Sequence, residues 1–248
     1  MRHHIGFSVS ALVLALACSS PTTPAASSST TTTTTSTGGT STAPAWFARF
    51  GSSVTVSVEG TQVVLRSTGV PDHPSPYWGS GHSLYEAPHQ GMQVNPNRIS
   101  TQSLVLRVPV SPTRATASDT PMGPMGLAIN GVALFNQYAA GRSPLTNEIL
   151  SFDRFNGHPQ QTGQYHYHLE PLWLTSRDGA AALIGVLLDG YPVYGPRERD
   201  GSLPSGLDSC NGHTHATADF ANGTYHYHVT TSVPYISGCF AGAPGSIG

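Results

Sequence analysis

The chain has 248 residues, 10% of them charged, with 11 basic side chains, 13 acidic ones and 12 histidines. Every basic side chain is arginine, which excludes Schiff-base or PLP chemistry and a Walker-type phosphate loop, because each needs a lysine. A formal net charge of −2 excludes nucleic acid as a partner, since such binding is driven by counterion release at a basic surface.

In chain order, residues 1–17 read as a signal peptide. Arg2 gives a positive start, and Ile5 to Ala17 form an apolar run too short to span a membrane. The run ends in Ala15-Leu16-Ala17-Cys18, which has the form of a bacterial lipobox. Cys18 is then the lipid-bearing N-terminus, and Ser19 after it favours outer-membrane sorting. The expected location is therefore the bacterial cell envelope, with a lipid anchor as the membrane contact. His3 and His4 fall in the signal. Residues 18–45 are rich in Ser, Thr and Pro, with nothing apolar enough to bury, and read as a solvated tether. The globular domain covers residues 46–248. With Cys18 assigned to lipid, Cys210 and Cys239 remain as an even pair in a compartment that permits disulfides; a thiol pair serving a metal is the competing reading.

Within the domain, Ser53 to Val58 and Thr61 to Arg66 flank Glu59-Gly60 as a hairpin, and Ser103 to Val110 alternates as a strand does. Pro144 to Leu150 is the one stretch that could give a short helical turn. The absence of helical periodicity, together with 27 glycines and 20 prolines, predicts an all-β, sandwich-like domain of two packed sheets with few or no helices.

The domain repeats itself, over about 121–172 and 180–233. Each copy opens with an apolar run broken by Asn130-Gly131 or Asp189-Gly190, the signal of a two-residue hairpin. Each continues with Asn-Gly-His, ending at His158 or His213, and closes on Tyr-His-Tyr-His at 165–168 or 225–228. In a strand, His166 and His168 face one way and Tyr165 and Tyr167 the other; the same holds for His226 and His228 against Tyr225 and Tyr227. Two imidazoles on one strand can converge on a cation, with His158 or His213 as the third ligand. Asp153 and Asp208 are candidate ligands, outer acceptors, turn caps or catalytic groups; with Glu170 they are the nearest carboxylates in sequence. A metal-free acid/base role and purely structural hydrogen bonding are the other readings of the same histidines. His73, His82, His89 and His215, as single occurrences, each read as surface residues.

These motifs, together with Leu187 to Pro196, Leu207 to His213, Pro234 to Cys239 and Gly69 to His73, resemble the YHYH-domain family of secreted proteins, over most of residues 52–240. The resemblance implies that His73, His158, His166, His168, His213, His226 and His228 are motif positions, with Cys210 and Cys239 as a disulfide. It names no reaction, and Phe155 in the first copy stands where the second has Cys210.

The leading expectation is a lipid-anchored envelope protein that binds copper or zinc through these histidines, since the scarcity of nearby carboxylates disfavours calcium or magnesium. Redox activity would bring in Tyr165, Tyr167, Tyr225 or Tyr227. A metal-dependent hydrolase of envelope or polysaccharide material is one alternative. A non-catalytic surface module for a glycan, small-molecule or protein partner is the other, and it requires imidazoles splayed over a flat face.

Overall fold

The computed structural model describes residues 42–248; the signal, Cys18 and most of the tether lie outside the described residues. The strands are β1 (Val54–Glu59), β2 (Gln62–Ser67), β3 (Leu104–Pro109), β4 (Arg114–Asp119), β5 (Pro124–Ala128), β6 (Ala133–Phe135), β7 (Tyr138–Ala139) and β8 (Ser143–Pro144). They continue with β9 (Gly157–Pro159), β10 (Tyr165–Tyr167), β11 (Leu183–Leu187), β12 (Pro192–Tyr194), β13 (Gly212–His215), β14 (Thr224–His228), β15 (Cys239–Gly242) and β16 (Ser246–Ile247). The fold is β-dominated, as expected.

One α-helix, α1 (Leu172–Asp178), lies between the two repeats. Its 7 residues are about two turns, too few to show an amphipathic period in sequence. The turn expected near Pro144 to Leu150 is a 3-10 turn at Glu148–Ser151.

Eight strands form the main sheet in the order β13-β14-β12-β11-β5-β6-β10-β9. The two repeats therefore lie as mirror-ordered halves, four strands each. At the seam, β11 pairs antiparallel with β5 with Val186 opposite Leu127, and these two residues are equivalents in the repeat. A pseudo-two-fold axis passes between them. The backbones meet so closely that a Cβ on Gly185 would lie 2.2 Å from the Leu127 carbonyl oxygen, and one on Gly126 would lie 2.5 Å from that of Val186. Both repeats need glycine here for that reason.

A second sheet, β1-β2-β3-β16, shares the core through Val63, Leu65, Leu106 and Val108, and two small two-stranded sheets, β15-β4 and β7-β8, add to the two large ones that were expected. The repeat hairpins differ from the expected two-residue form. Asn130 and Asp189 do not adopt positive φ, as that turn would demand, and only Gly131 (φ 87°) and Gly190 (φ 84°) do. Each loop is a three-residue connection in which the glycine alone takes the left-handed conformation. The side chains of Asn130 and Asp189 are thereby freed to reach the tyrosines of the closing strands.

Candidate metal centres

In each repeat the Asn-Gly-His turn is built by its backbone. Asn156 (φ 65°) and Asn211 (φ 71°) take the left-handed conformation that asparagine tolerates. Asp153 Oδ1 accepts from the Phe155 and Gly157 amides, and Asp208 Oδ1 accepts from Cys210 and Gly212. The glycine is required because a neighbouring tyrosine lies over it: a Cβ would sit 2.3 Å from Tyr165 Oη at Gly157, and 2.3 Å from Tyr225 Oη at Gly212. Gly212→Ala is expected to destabilise the fold by about 2 kcal/mol, within the range for overpacked cores, measured by urea unfolding. A change below about 0.5 kcal/mol would contradict this packing.

These turns start β9 and β13, which pair antiparallel with β10 and β14 so that His158 faces His166 and His213 faces His226. Three imidazoles of the first repeat meet tip to tip. His158 Nε2 lies 3.1 Å from His166 Nε2, which lies 3.0 Å from His168 Nε2. Glu148, from the 3-10 turn, adds a carboxylate oxygen 3.1 Å from His158 Nε2. In the second repeat His226 Nε2 and His228 Nε2 are 3.1 Å apart. Glu198 lies 3.3 Å from His213 Nε2 and 2.9 Å from His215 Nε2. Within each cluster the candidate donor atoms fall within 4.8 Å of one another.

The other ring nitrogens fix the tautomers. Nδ1 of His166, His168, His226, His228, His213 and His215 each donates to a backbone carbonyl, of Gln164, Asn136, Thr224, Gly195, Ser205 and Ala216 respectively. His158 Nδ1 donates to Ser151 Oγ at 2.8 Å, whose own hydrogen goes to the Glu148 carbonyl. A carbonyl oxygen can only accept, so each Nδ1 carries the proton and each Nε2 presents a bare lone pair to the centre. Lone pairs converging at 3 Å repel unless a proton or a metal ion stands among them.

Burial disfavours the proton. It pushes His166 well below the usual histidine range, His168 to about 4 and His226 to about 3, and it also lowers His228. For Glu148 burial pushes upward, but its contact with His158 and the nearness of His168 prevail and hold its carboxyl below the ordinary value. Histidines depressed in the folded state stabilise it above the unfolded pKa near 6.5, and that stability is lost as pH falls towards 4 and 3. The metal-free protein should therefore show a falling melting temperature from pH 6.5 to pH 4. A flat profile over that window would contradict neutral, buried imidazoles.

The structure brings together His158, His166 and His168 in one cluster and His213, His226 and His228 in the other. His215 corrects the sequence reading: it joins the second cluster instead of lying alone on the surface, because β13 extends two residues past His213 and returns its side chain to the same face. Glu148 and Glu198 were missed by sequence reasoning. The available signal was a glutamate between the hairpin and the Asn-Gly-His turn of each repeat.

His73 is not brought to either cluster. It is fully buried on the tyrosine face, with Nε2 2.8 Å from Tyr167 Oη and Nδ1 donating to the Pro74 carbonyl. Tyr165 and Tyr225 also point away from the imidazoles, donating to Asp153 and Asp208, so these four candidate catalytic residues brace the turns from behind the sheet. Tyr167 and Tyr227 share that face, with Tyr227 donating to Asp189. Buried Asp189 is raised above the ordinary carboxylate range by desolvation, despite that hydrogen bond and three from backbone amides. Of Glu170, only the backbone carbonyl makes a relevant contact, accepting from Asn156 Nδ2. Cys210 and Cys239 form a disulfide, which removes the thiol-ligand reading.

A family model described as YHYH protein matches residues 105–205 and 198–242. The chain belongs to the YHYH family. In this YHYH protein the matched region contains both His/Glu clusters, which are compatible with metal binding, together with the Asn-Gly-His turns that position them. No curated protein and no solved structure matches the chain. Among the described residues, no helix is long and apolar enough to cross a membrane.

Proposed function

We propose that this YHYH protein is exported, lipid-anchored to the cell envelope through Cys18, and binds copper or zinc at each of two His/Glu clusters. The observation that carries the reading is the set of bare Nε2 atoms at 3.0 to 3.1 Å, each imidazole oriented by a hydrogen bond at Nδ1. This is the arrangement in which outer acceptors aim histidines at a cation, and imidazole-rich sets suit copper and zinc. A resident ion would supply Lewis-acid or electron-transfer chemistry, while the chain supplies ligands, ring orientation and burial.

Convergence of the imidazoles counts against the flat surface module. The hydrolase reading keeps one supporting observation, a carboxylate (Glu198) beside the second cluster, where it could take a proton from water. Elemental analysis of protein purified without a His-tag should find two equivalents of copper or zinc. Absence of stoichiometric metal, with a melting temperature indifferent to both ions, would overturn the reading. For the anchor, Cys18→Ser should move the protein from the membrane fraction to the soluble one; retention in the membrane would remove that part of the proposal.

A further inference from the structure

The two clusters are copies of one design that have diverged. At equivalent positions the first repeat has Phe135, Phe152 and Gln160, and the second has Tyr194, Leu207 and His215. Phe135 stacks on His166 with ring centres 4.0 Å apart, and Phe152 lies parallel to His168 at 5.7 Å. Walled by these rings, His158, His166 and His168 are 4%, 2% and 2% exposed. In the second cluster His226 and His228 are as deeply buried, 0% and 1% exposed, with Tyr194 edge-on to His226 at 5.3 Å, but the cluster opens at His215. Its His215 side chain is 38% exposed, and Glu198, His215, His226 and His228 line a cleft of about 430 Å³. A second hollow of about 560 Å³ is lined by His213 and His215 and shares Glu198 with the first.

The charge around the cleft is lopsided. Arg49 on its rim is paired with Asp219, and Asp178 is paired with Arg177. Arg197 and Arg199 also line the cleft, flanking Glu198 in the chain, and neither makes an ion pair among the described residues. Two cationic side chains without an ion-pair partner thus line the cleft by which the cluster is reached at His215, with Glu198, turned to the imidazoles, as its remaining carboxylate. Much of the remaining lining is small, with Ala180, Ala182 and Ala216 leaving room for a ligand.

We propose that the second cluster is the working site and takes a small oxyanion of the carboxylate or phosphate class, which reaches the bound metal through this cleft while Arg197 and Arg199 offset its charge. The walled first cluster is a closed, structural site. This inference rests on the metal-binding reading above.

The test uses the whole protein loaded with Cu(II), its stoichiometry measured first, and inorganic phosphate as the probe at constant ionic strength. Electron paramagnetic resonance should resolve two copper signals, of which phosphate perturbs one. The responsive signal should be missing in His226→Ala and retained in His166→Ala. In the R197A/R199A double variant, with metal content measured alongside, the phosphate midpoint should rise about tenfold, as for two modest charge contacts. Two bound coppers with no phosphate response, a response from the signal that survives in His226→Ala, or an unmoved midpoint in the double variant would each overturn this inference and leave the metal reading intact. Failure to bind copper at all would overturn both.

Discussion

Stripping the metal-loaded protein with a strong chelator should lower its melting temperature by about 10 °C for each emptied cluster. A ligand present at a thousandfold over its dissociation constant stabilises the state it binds by about 4 kcal/mol, and a domain of this size shifts by about 2–4 °C per kcal/mol. His166→Ala should lose one metal equivalent and roughly half of the chelator effect, and His226→Ala should lose the other half. The two losses should add, because the clusters sit at opposite ends of the eight-stranded sheet. Differential scanning calorimetry with and without chelator measures the shift. If chelated and loaded protein melt together, the converging Nε2 atoms need another explanation.

Asp189→Ala should be the most damaging change outside the clusters themselves. This fully buried carboxylate accepts from Tyr227 Oη and from the amides of Ala241, Gly242 and Tyr191. Alanine leaves Tyr227 Oη and the amides of Tyr191 and Gly242 without this acceptor at once, while the Ala241 amide keeps Tyr227 Oη at 2.8 Å. Unpaired buried polar groups cost about 1–3 kcal/mol each, with partial relaxation, so a loss of about 4 kcal/mol is expected in urea unfolding. Asp189→Asn, which keeps one accepting oxygen, should fall between alanine and wild type. Tyr227 lies between His226 and His228 on β14. Metal affinity should therefore fall at the second cluster and hold at the first. A loss under about 1 kcal/mol for the alanine variant would mean that this network contributes little.

What could be read in the sequence was what is local. The period-two alternation of Tyr-His-Tyr-His separates imidazoles from phenols on any strand, and the order of the three repeated blocks gave two matched triads, but that they form two clusters and not one shared site is visible only in the fold. The same rule applied to His213 and His215, which are themselves two residues apart, but treating Asn-Gly-His as a turn alone hid the strand that follows it. Glu148 and Glu198 reach their clusters through tertiary placement, and nothing in their spacing from His158 or His213 reports that. His73 shows the converse. A motif histidine can be conspicuous in sequence and still face the other side of the sheet, where it accepts a tyrosine hydrogen bond.

The meeting of β5 with β11 about Leu127 and Val186 is the geometry of two identical chains joined edge to edge about a dyad. One repeat alone would leave its β5 or β11 edge open, with backbone groups unpaired; here each repeat closes the edge of the other. Because both lie in one chain, their outer ends can differ without breaking the seam, as Gln160 and His215 do.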